Sequence, residues 1–128
     1  MITVIRGDGE TQSDRVTDTF TGEVWRDTIL AKTDGIGMTN VYFAPCSRTH
    51  WHTHEGGQLL TIVAGEGFVA DDKGPVRVVA GDTIWTPPGV RHWHGASAHR
   101  YMVHTSISVR GVTWHNPVSD EEYPGPVA

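Results

Sequence analysis

The sequence predicts an all-β sandwich or barrel. Three observations carry this prediction: helical periodicity is scarce, short β-rich runs recur, and Gly, Pro and Asp separate those runs. The chain has 128 residues, which suits one domain and is long enough to bury a core without disulfides. Because neither a repeat nor a linker interrupts the pattern, we expect residues 1–128 to form a single domain.

The predicted strands are short runs rich in β-branched and aromatic residues. They are Val24–Leu30, Thr39–Phe43, Gln58–Ala64, Gly67–Ala70, Val76–Val79, Thr83–Thr86 and Tyr101–Val109. Asp72-Lys73-Gly74 predicts a hairpin turn before Val76–Val79. Ala80-Gly81-Asp82 and Pro87-Pro88-Gly89 mark the next two connections. The proline-rich segment after Trp114 is expected to be irregular, with a frayed end.

The last predicted strand alternates in an informative way. One face carries apolar residues and a threonine: Tyr101, Val103, Thr105, Ile107 and Val109. The other face carries Met102, His104, Ser106 and Ser108. We expect the second, more polar face to line the barrel interior. The first face then needs a second sheet or subunit to cover it, which predicts a homodimer or larger homo-oligomer.

Charge and cysteine content exclude several classes of function. The formal charge is −5, from 10 basic and 15 acidic residues, and no basic stripe is present, so nucleic acid is not an expected partner. The lone Cys46 cannot form an internal disulfide, and Met1–Glu10 lacks the regions of a signal peptide, which predicts a cytoplasmic setting. No apolar run approaches the roughly 20 residues of a membrane-spanning helix, so no membrane role is expected.

The residues with metal-ligand chemistry form two clusters. In an extended strand His52 and His54 point to the same face. Gly56-Gly57 lets the chain bend so that the amide of Gln58 returns to that face. His92 follows a tight Pro-Pro-Gly turn and arrives from another strand. Three nitrogens and one amide oxygen suit a first-row divalent ion that keeps open positions for a substrate.

The intervals between these residues resemble the two sequence motifs of the cupin superfamily, whose fold is a jelly-roll-like β-barrel. The matching positions are His52, His54, Gln58 and Gly65, then Gly81, Pro87, Gly89 and His92. Three residues depart from the motifs: Cys46 replaces Gly, Gln58 replaces Glu, and Ala96 replaces Asn. A neutral amide in place of a carboxylate leaves the ion its full double charge and makes it a stronger Lewis acid.

Within that superfamily the chain resembles the bacterial cupins that act as manganese-dependent hydroxynitrile lyases. The similar stretches are Phe20-Thr21-Gly22, Arg48-Thr49, Trp51-His52-Thr53-His54, Gly57-Gln58, His92-Trp93-His94-Gly95-Ala96, His104 and Trp114–Tyr123. The resemblance implies one divalent ion, Mn²⁺ before Fe²⁺, Zn²⁺ or Ni²⁺, bound by His52, His54, Gln58 and His92. It also implies that His94 and His104 act on the substrate, whereas the alternative for both is a structural histidine.

The expected function is therefore a metal-dependent lyase that cleaves or forms α-hydroxynitriles. Three alternatives stay open: an iron-dependent dioxygenase, a sugar-acid isomerase or lyase, and a metal-containing domain that binds a small molecule without turnover. A sugar-acid enzyme needs basic groups for a carboxylate, and only Arg48, Arg91 and Arg100 lie near the motifs.

Two further expectations concern residues beside the motifs. Trp51 and Trp93 alternate with the proposed ligands, so we expect both to point away from the ion and to pack structurally. Arg48 is expected to be exposed or salt-bridged, and Cys46 to be a small buried residue.

Overall fold

The computed structural model describes residues 1–7 and 12–125, which form twelve strands and no helix. The strands are β1 Asp14–Val16, β2 Phe20–Thr21, β3 Val24–Thr33, β4 Ile36–Phe43, β5 Arg48–Thr49, β6 His52–His54, β7 Gln58–Asp71, β8 Gly74–Val79, β9 Thr83–Thr86, β10 Trp93–Ala96, β11 Met102–Val109 and β12 Val112–Trp114. The all-β prediction is confirmed. The short strands β1, β2, β5, β10 and β12 were not predicted as separate elements, whereas β6 corresponds to the extended segment expected at His52 and His54.

Ten strands form one sheet that folds over on itself, in the order β1-β3-β4-β11-β7-β10-β5-β2, with β8 and β9 also paired to β7. The remaining two, β6 and β12, pair with each other. The result is a nearly closed barrel. All the pairings are antiparallel, and the hairpin turn predicted at Asp72-Lys73-Gly74 connects β7 to β8.

Strand β7 joins the two halves of the barrel, and it corrects the prediction of two separate strands. Its first part pairs with β9 and β11, and its second part pairs with β8 and β10. Between them lies Gly65, which has a φ of 77°. A Cβ there would collide with the carbonyl of Tyr101. Glycine at this bend therefore lets one strand leave the first half and enter the second.

Two apolar clusters stabilise the barrel. The first fills its interior and comprises Val24, Val41, Phe43, Ile62, Val78, Ala96 and Met102. The second comprises Trp51, Ala70, Trp93, Val118 and Tyr123. Trp51 and Trp93 thus pack structurally, as predicted.

The segment 115–125 contains no strand, as predicted, yet it is firmly packed. Arg48 Nη2 donates hydrogen bonds to the carbonyl of Val118 at 2.9 Å and to Asp120 Oδ1 at 3.0 Å. The Tyr123 hydroxyl donates to the carbonyl of Ala96 at 2.6 Å. The salt bridge predicted for Arg48 therefore holds this segment against the barrel. The frayed end predicted beyond it falls on residues 126–128, outside the described part of the chain.

The alternation predicted for β11 is confirmed. Met102, His104 and Ser106 are buried on the inner face, whereas Tyr101 just before the strand is 54% exposed. Within residues 1–7 and 12–125, no helix is long and apolar enough to cross a membrane.

Candidate metal centre and cavity

Backbone pairing places His52 beside His92. The amide of His52 donates to the carbonyl of His92 at 2.9 Å, and the amide of His92 donates back at 3.0 Å. This antiparallel bridge brings the two imidazole centroids to 4.2 Å. His54 lies two residues along β6, so its ring shares the inner face, with its centroid 5.5 Å from that of His92.

The turn after β6 returns the chain to the same place. Gly57 has a φ of 90°, and a Cβ on it would lie 2.9 Å from the carbonyl oxygen of Thr86. Only glycine fits this turn without strain. Gln58, the first residue of β7, consequently brings its Oε1 to 3.1 Å from Nε2 of His92.

Ring nitrogens of His52, His54 and His92 all lie within 4.8 Å of one another, and all three residues are buried. Nδ1 of His52 hydrogen-bonds the carbonyl of His50, and Nδ1 of His92 hydrogen-bonds that of Val90, each at 2.9 Å. Since Nδ1 donates in both rings, Nε2 carries the lone pair. Both nitrogens of His54 are buried without a hydrogen-bond partner among the described residues.

Gln58 is oriented so that its oxygen faces this centre. Its Nε2 donates to Ser108 Oγ at 3.1 Å, which leaves Oε1 directed at His92. Two lone pairs, on Oε1 and on His92 Nε2, then face each other at 3.1 Å. A cation between them is what such an arrangement accommodates. The donor set could therefore hold a divalent metal ion.

Burial keeps the three histidines in the neutral form that metal binding requires. Burial lowers the pKa of His54 to about 4, and repulsion between the protonated forms of His54 and His92 adds to the effect. Burial also lowers the pKa of His52 well below 6.5, again with a contribution from His92. The pKa of His92 itself is lowered by burial.

His94 and His104 form a second, hydrogen-bonded pair beside this centre. His104 Nε2 lies 2.9 Å from His94 Nδ1. Burial lowers the pKa of both imidazoles, that of His104 to about 4, and the charge of His104 further lowers that of His94. Phe43 packs against both rings at centroid distances of 6.1 and 5.2 Å.

The outer nitrogens of this pair, His94 Nε2 and His104 Nδ1, are buried and lack partners in the described part of the chain. A neutral imidazole carries a single N–H. Whichever ring donates the central hydrogen bond, one outer nitrogen is therefore an N–H and the other a lone pair. The pair therefore has a proton acceptor at one end and a proton donor at the other.

The two groups of histidines open on one cavity of about 180 Å³. Its lining combines four of these histidines with hydroxyl, aromatic and basic side chains: Phe20, Arg26, Thr39, Val41, Thr49, His52, His54, Gln58, His94, His104, Ser106, Ser108, Arg110, Val112 and Trp114. His92 is not part of this lining.

Sequence reasoning did not assign Arg26, Arg110 or Trp114 to the site. The Trp114 ring packs on His52 at a centroid distance of 4.6 Å. Arg26 shares the inner face of β3 with Val24, so strand alternation was the available signal. The basic residues near the motifs point elsewhere: Arg48 holds the C-terminal segment, and Arg91 lies 3.9 Å over the Trp51 ring.

The structure accounts for one departure from the cupin motif. Cys46 has a φ of 70°, the left-handed conformation in which the usual glycine is unstrained. Its amide donates to the carbonyl of Ser97 at 3.0 Å, which holds the backbone in place. Cys46 is half-buried, whereas a small buried residue was predicted.

Comparisons with known proteins agree with this architecture. Residues 40–108 match the family model described as the Cupin domain. The chain is 39% identical over 113 residues to (R)-mandelonitrile lyase of Granulicella tundricola, covering 83% of this chain and 86% of that protein. A cupin-like protein of Thermotoga maritima matches with a TM-score of 0.81 and 34% identity over 94% of this chain and 95% of that one. A Streptomyces resistomycificus polyketide cyclase shares the fold, with a TM-score of 0.74, 18% identity and coverage of 96% and 91%. The chain belongs to the cupin family.

Proposed function

We propose that this protein is a metal-dependent lyase that cleaves α-hydroxynitriles to a carbonyl compound and cyanide, or forms them in reverse. The observation that supports it best is the neutral His94–His104 pair, which lies beside a set of metal-type donors in one small cavity. The similarity to a mandelonitrile lyase points to the same reaction class.

In this proposal His52, His54, Gln58 and His92 hold one divalent ion, Mn²⁺ before Fe²⁺, Zn²⁺ or Ni²⁺. None of these four donors is a carboxylate. When bound, the ion supplies Lewis-acid stabilisation of the alkoxide oxygen that forms during cleavage.

The proton transfers fall to the histidine pair. The outer nitrogen that carries the lone pair accepts the hydroxyl proton of the substrate. The electron pair of the broken O–H bond then forms the second bond of the carbonyl group, and the bond between carbon and cyanide breaks. The cyanide leaves with the electron pair of that bond. The N–H at the other end of the pair then protonates it, so the histidines return to their starting charge.

A direct assay tests the reaction. We expect protein loaded with Mn²⁺ to release equal amounts of cyanide and aldehyde from mandelonitrile, and metal-free protein to release them only at the uncatalysed rate. Oxygen uptake in the same cell separates the proposal from the dioxygenase alternative. Cyanide release that does not depend on metal, or oxygen uptake without cyanide, would contradict the proposed function.

We propose in addition that the chain forms a homodimer through the outer face of the strands around β11. Apolar residues lie side by side there across paired strands, with Trp25 beside Tyr42 and Leu59 beside Trp85. Trp85 is 54% exposed. Exposed apolar pairs of this kind are typical of a sheet face that a second subunit covers.

Light scattering is expected to give about 28 kDa, twice the 14.0 kDa of one chain. Replacing Leu59 and Trp85 with lysine should shift the protein towards monomer, because a charge buried in an apolar interface is costly. A wild-type monomer at micromolar concentration would refute the dimer.

A further inference from the structure

The cavity lining has an unusual charge balance. It contains two arginines, Arg26 and Arg110, and among the residues that the structure describes no aspartate or glutamate lines it. A bound divalent ion would add further positive charge. The cavity is therefore suited to an anionic ligand.

The register of the strands places Arg26 in the same row as His104. Arg26 pairs with Val41 on β4, and Val41 pairs with His104 on β11. Arg26 and His104 therefore stand in one row on the inner face, two strands apart, which is roughly 10 Å at the backbone. Both side chains line the cavity, with Nη2 of Arg26 on the side of β1.

The donors of Arg26 are incompletely used. Its Nε is buried and has no hydrogen-bond partner among the described residues. The nearest carboxylate, Asp14 Oδ2, lies 3.8 Å from Nη2, and the side chains are 41% and 63% exposed. That distance exceeds a hydrogen bond, and an exposed pair of this kind binds weakly. A buried guanidinium nitrogen without a protein acceptor leaves an N–H that a ligand could use.

Arg110 approaches the cavity from the end of β11. Its φ is 63°, and its amide donates to the carbonyl of Gly35 at 2.6 Å. The same cavity wall carries hydroxyl groups, with Thr39 Oγ1 and Ser106 Oγ 2.6 Å apart. Hydroxyl and guanidinium donors together are the groups that recognise a carboxylate.

We propose that Arg26 and Arg110 form a subsite for the carboxylate of a small organic acid, whose hydroxyl-bearing end lies at the histidines. Guanidinium matches carboxylate because its planar N–H groups bind both oxygens. The identity of the substrate rests on the proposed function: it is then an α-hydroxynitrile that also carries a carboxylate. Carboxylate binding itself does not depend on that reaction.

A matched pair of ligands tests the subsite in the metal-loaded protein. Calorimetric titration compares 3-(hydroxymethyl)benzoate with benzyl alcohol, which differ only in the carboxylate. We expect the acid to bind about 10-fold tighter or more, the scale of hydrogen bonds between charged groups. The preference should fall to about 3-fold or less in R26Q and in R110Q, and to about 1-fold in the double variant. It should be partly kept in R26K.

Arg100→Gln is the matched control, since Arg100 is exposed and lies outside the cavity lining. It should keep the full preference, and 0.5 M NaCl should reduce the preference in wild type. Circular dichroism checks the fold of each variant, and R110Q serves alone if R26Q does not fold.

Equal affinity of wild type for both ligands would overturn the subsite. So would a preference that survives in the R26Q R110Q double variant, or one that disappears when the metal alone is removed. Because no turnover is measured, these outcomes leave the lyase proposal standing. Conversely, failure to release cyanide leaves the carboxylate subsite standing.

Discussion

His52→Ala or His92→Ala is expected to abolish stoichiometric metal binding. The two side chains face each other across the backbone bridge between β6 and the segment before β10, and the Nδ1 of each is held by a carbonyl. Alanine removes the donor and the fixed geometry together. Because metal binding is coupled to ligand number and orientation, occupancy should fall from about one ion per chain to less than about a tenth of that.

Elemental analysis of purified protein measures this occupancy, and His99→Ala is the matched control because His99 is exposed and outside the cavity. Circular dichroism should show that both variants keep the barrel, whose interior cluster includes neither histidine. Full occupancy in both variants would show that residues other than His52 and His92 hold the ion.

His94→Ala and His104→Ala are expected to retain the metal but to lose turnover by roughly 100-fold or more, the scale of a positioned acid or base. Either change breaks the 2.9 Å hydrogen bond and leaves one imidazole that cannot relay a proton. The double variant should lose little more than either single variant, because the two rings act as one unit. Wild-type rates in both metal-loaded variants would show that these histidines are structural.

The pH profile separates a proton-transfer role from a structural one. Burial lowers the pKa of His104 to about 4, below the ordinary 6.5, so the neutral base form persists through pH 6. We therefore expect wild-type activity to fall only as the pH drops towards about 4, where the imidazole becomes charged. The variants should lack this acid limb while metal content is monitored over the same range. A fall centred near pH 6.5 would contradict a buried base.

Three residues of the candidate metal centre could be predicted because their arrangement is local, whereas His92 was identified through its turn and the resemblance to the cupin motifs and is brought to His52 by a long-range backbone bridge. His52 and His54 need only the two-residue period of a strand, and Gln58 needs only the glycine turn before it. The φ of Gly57 shows that this turn depends on glycine. That His52, His54, Gln58 and His92 bind metal, and that His94 and His104 react, stays a prediction for the experiments above.

Strand pairing over long distances could not be predicted in the same way. The bend of β7 at Gly65 depends on the carbonyl of Tyr101, 36 positions away along the chain, as the numbering shows. Two apparent strands are therefore one. The firm packing of segment 115–125 likewise depends on Arg48, which lies 70 positions before Val118 in the chain.

The sequence by itself determined the all-β class, the inner face of β11 and the histidines and glutamine that meet at one centre. Apart from His92, whose meeting with His52 needs a long-range backbone bridge, these follow from alternation and turn chemistry, which act between near neighbours. Only the tertiary structure decided that Arg26 shares a cavity with His104, because their strands meet through β4 rather than through the chain between them. Register across a sheet sets such neighbours, and no local pattern encodes it.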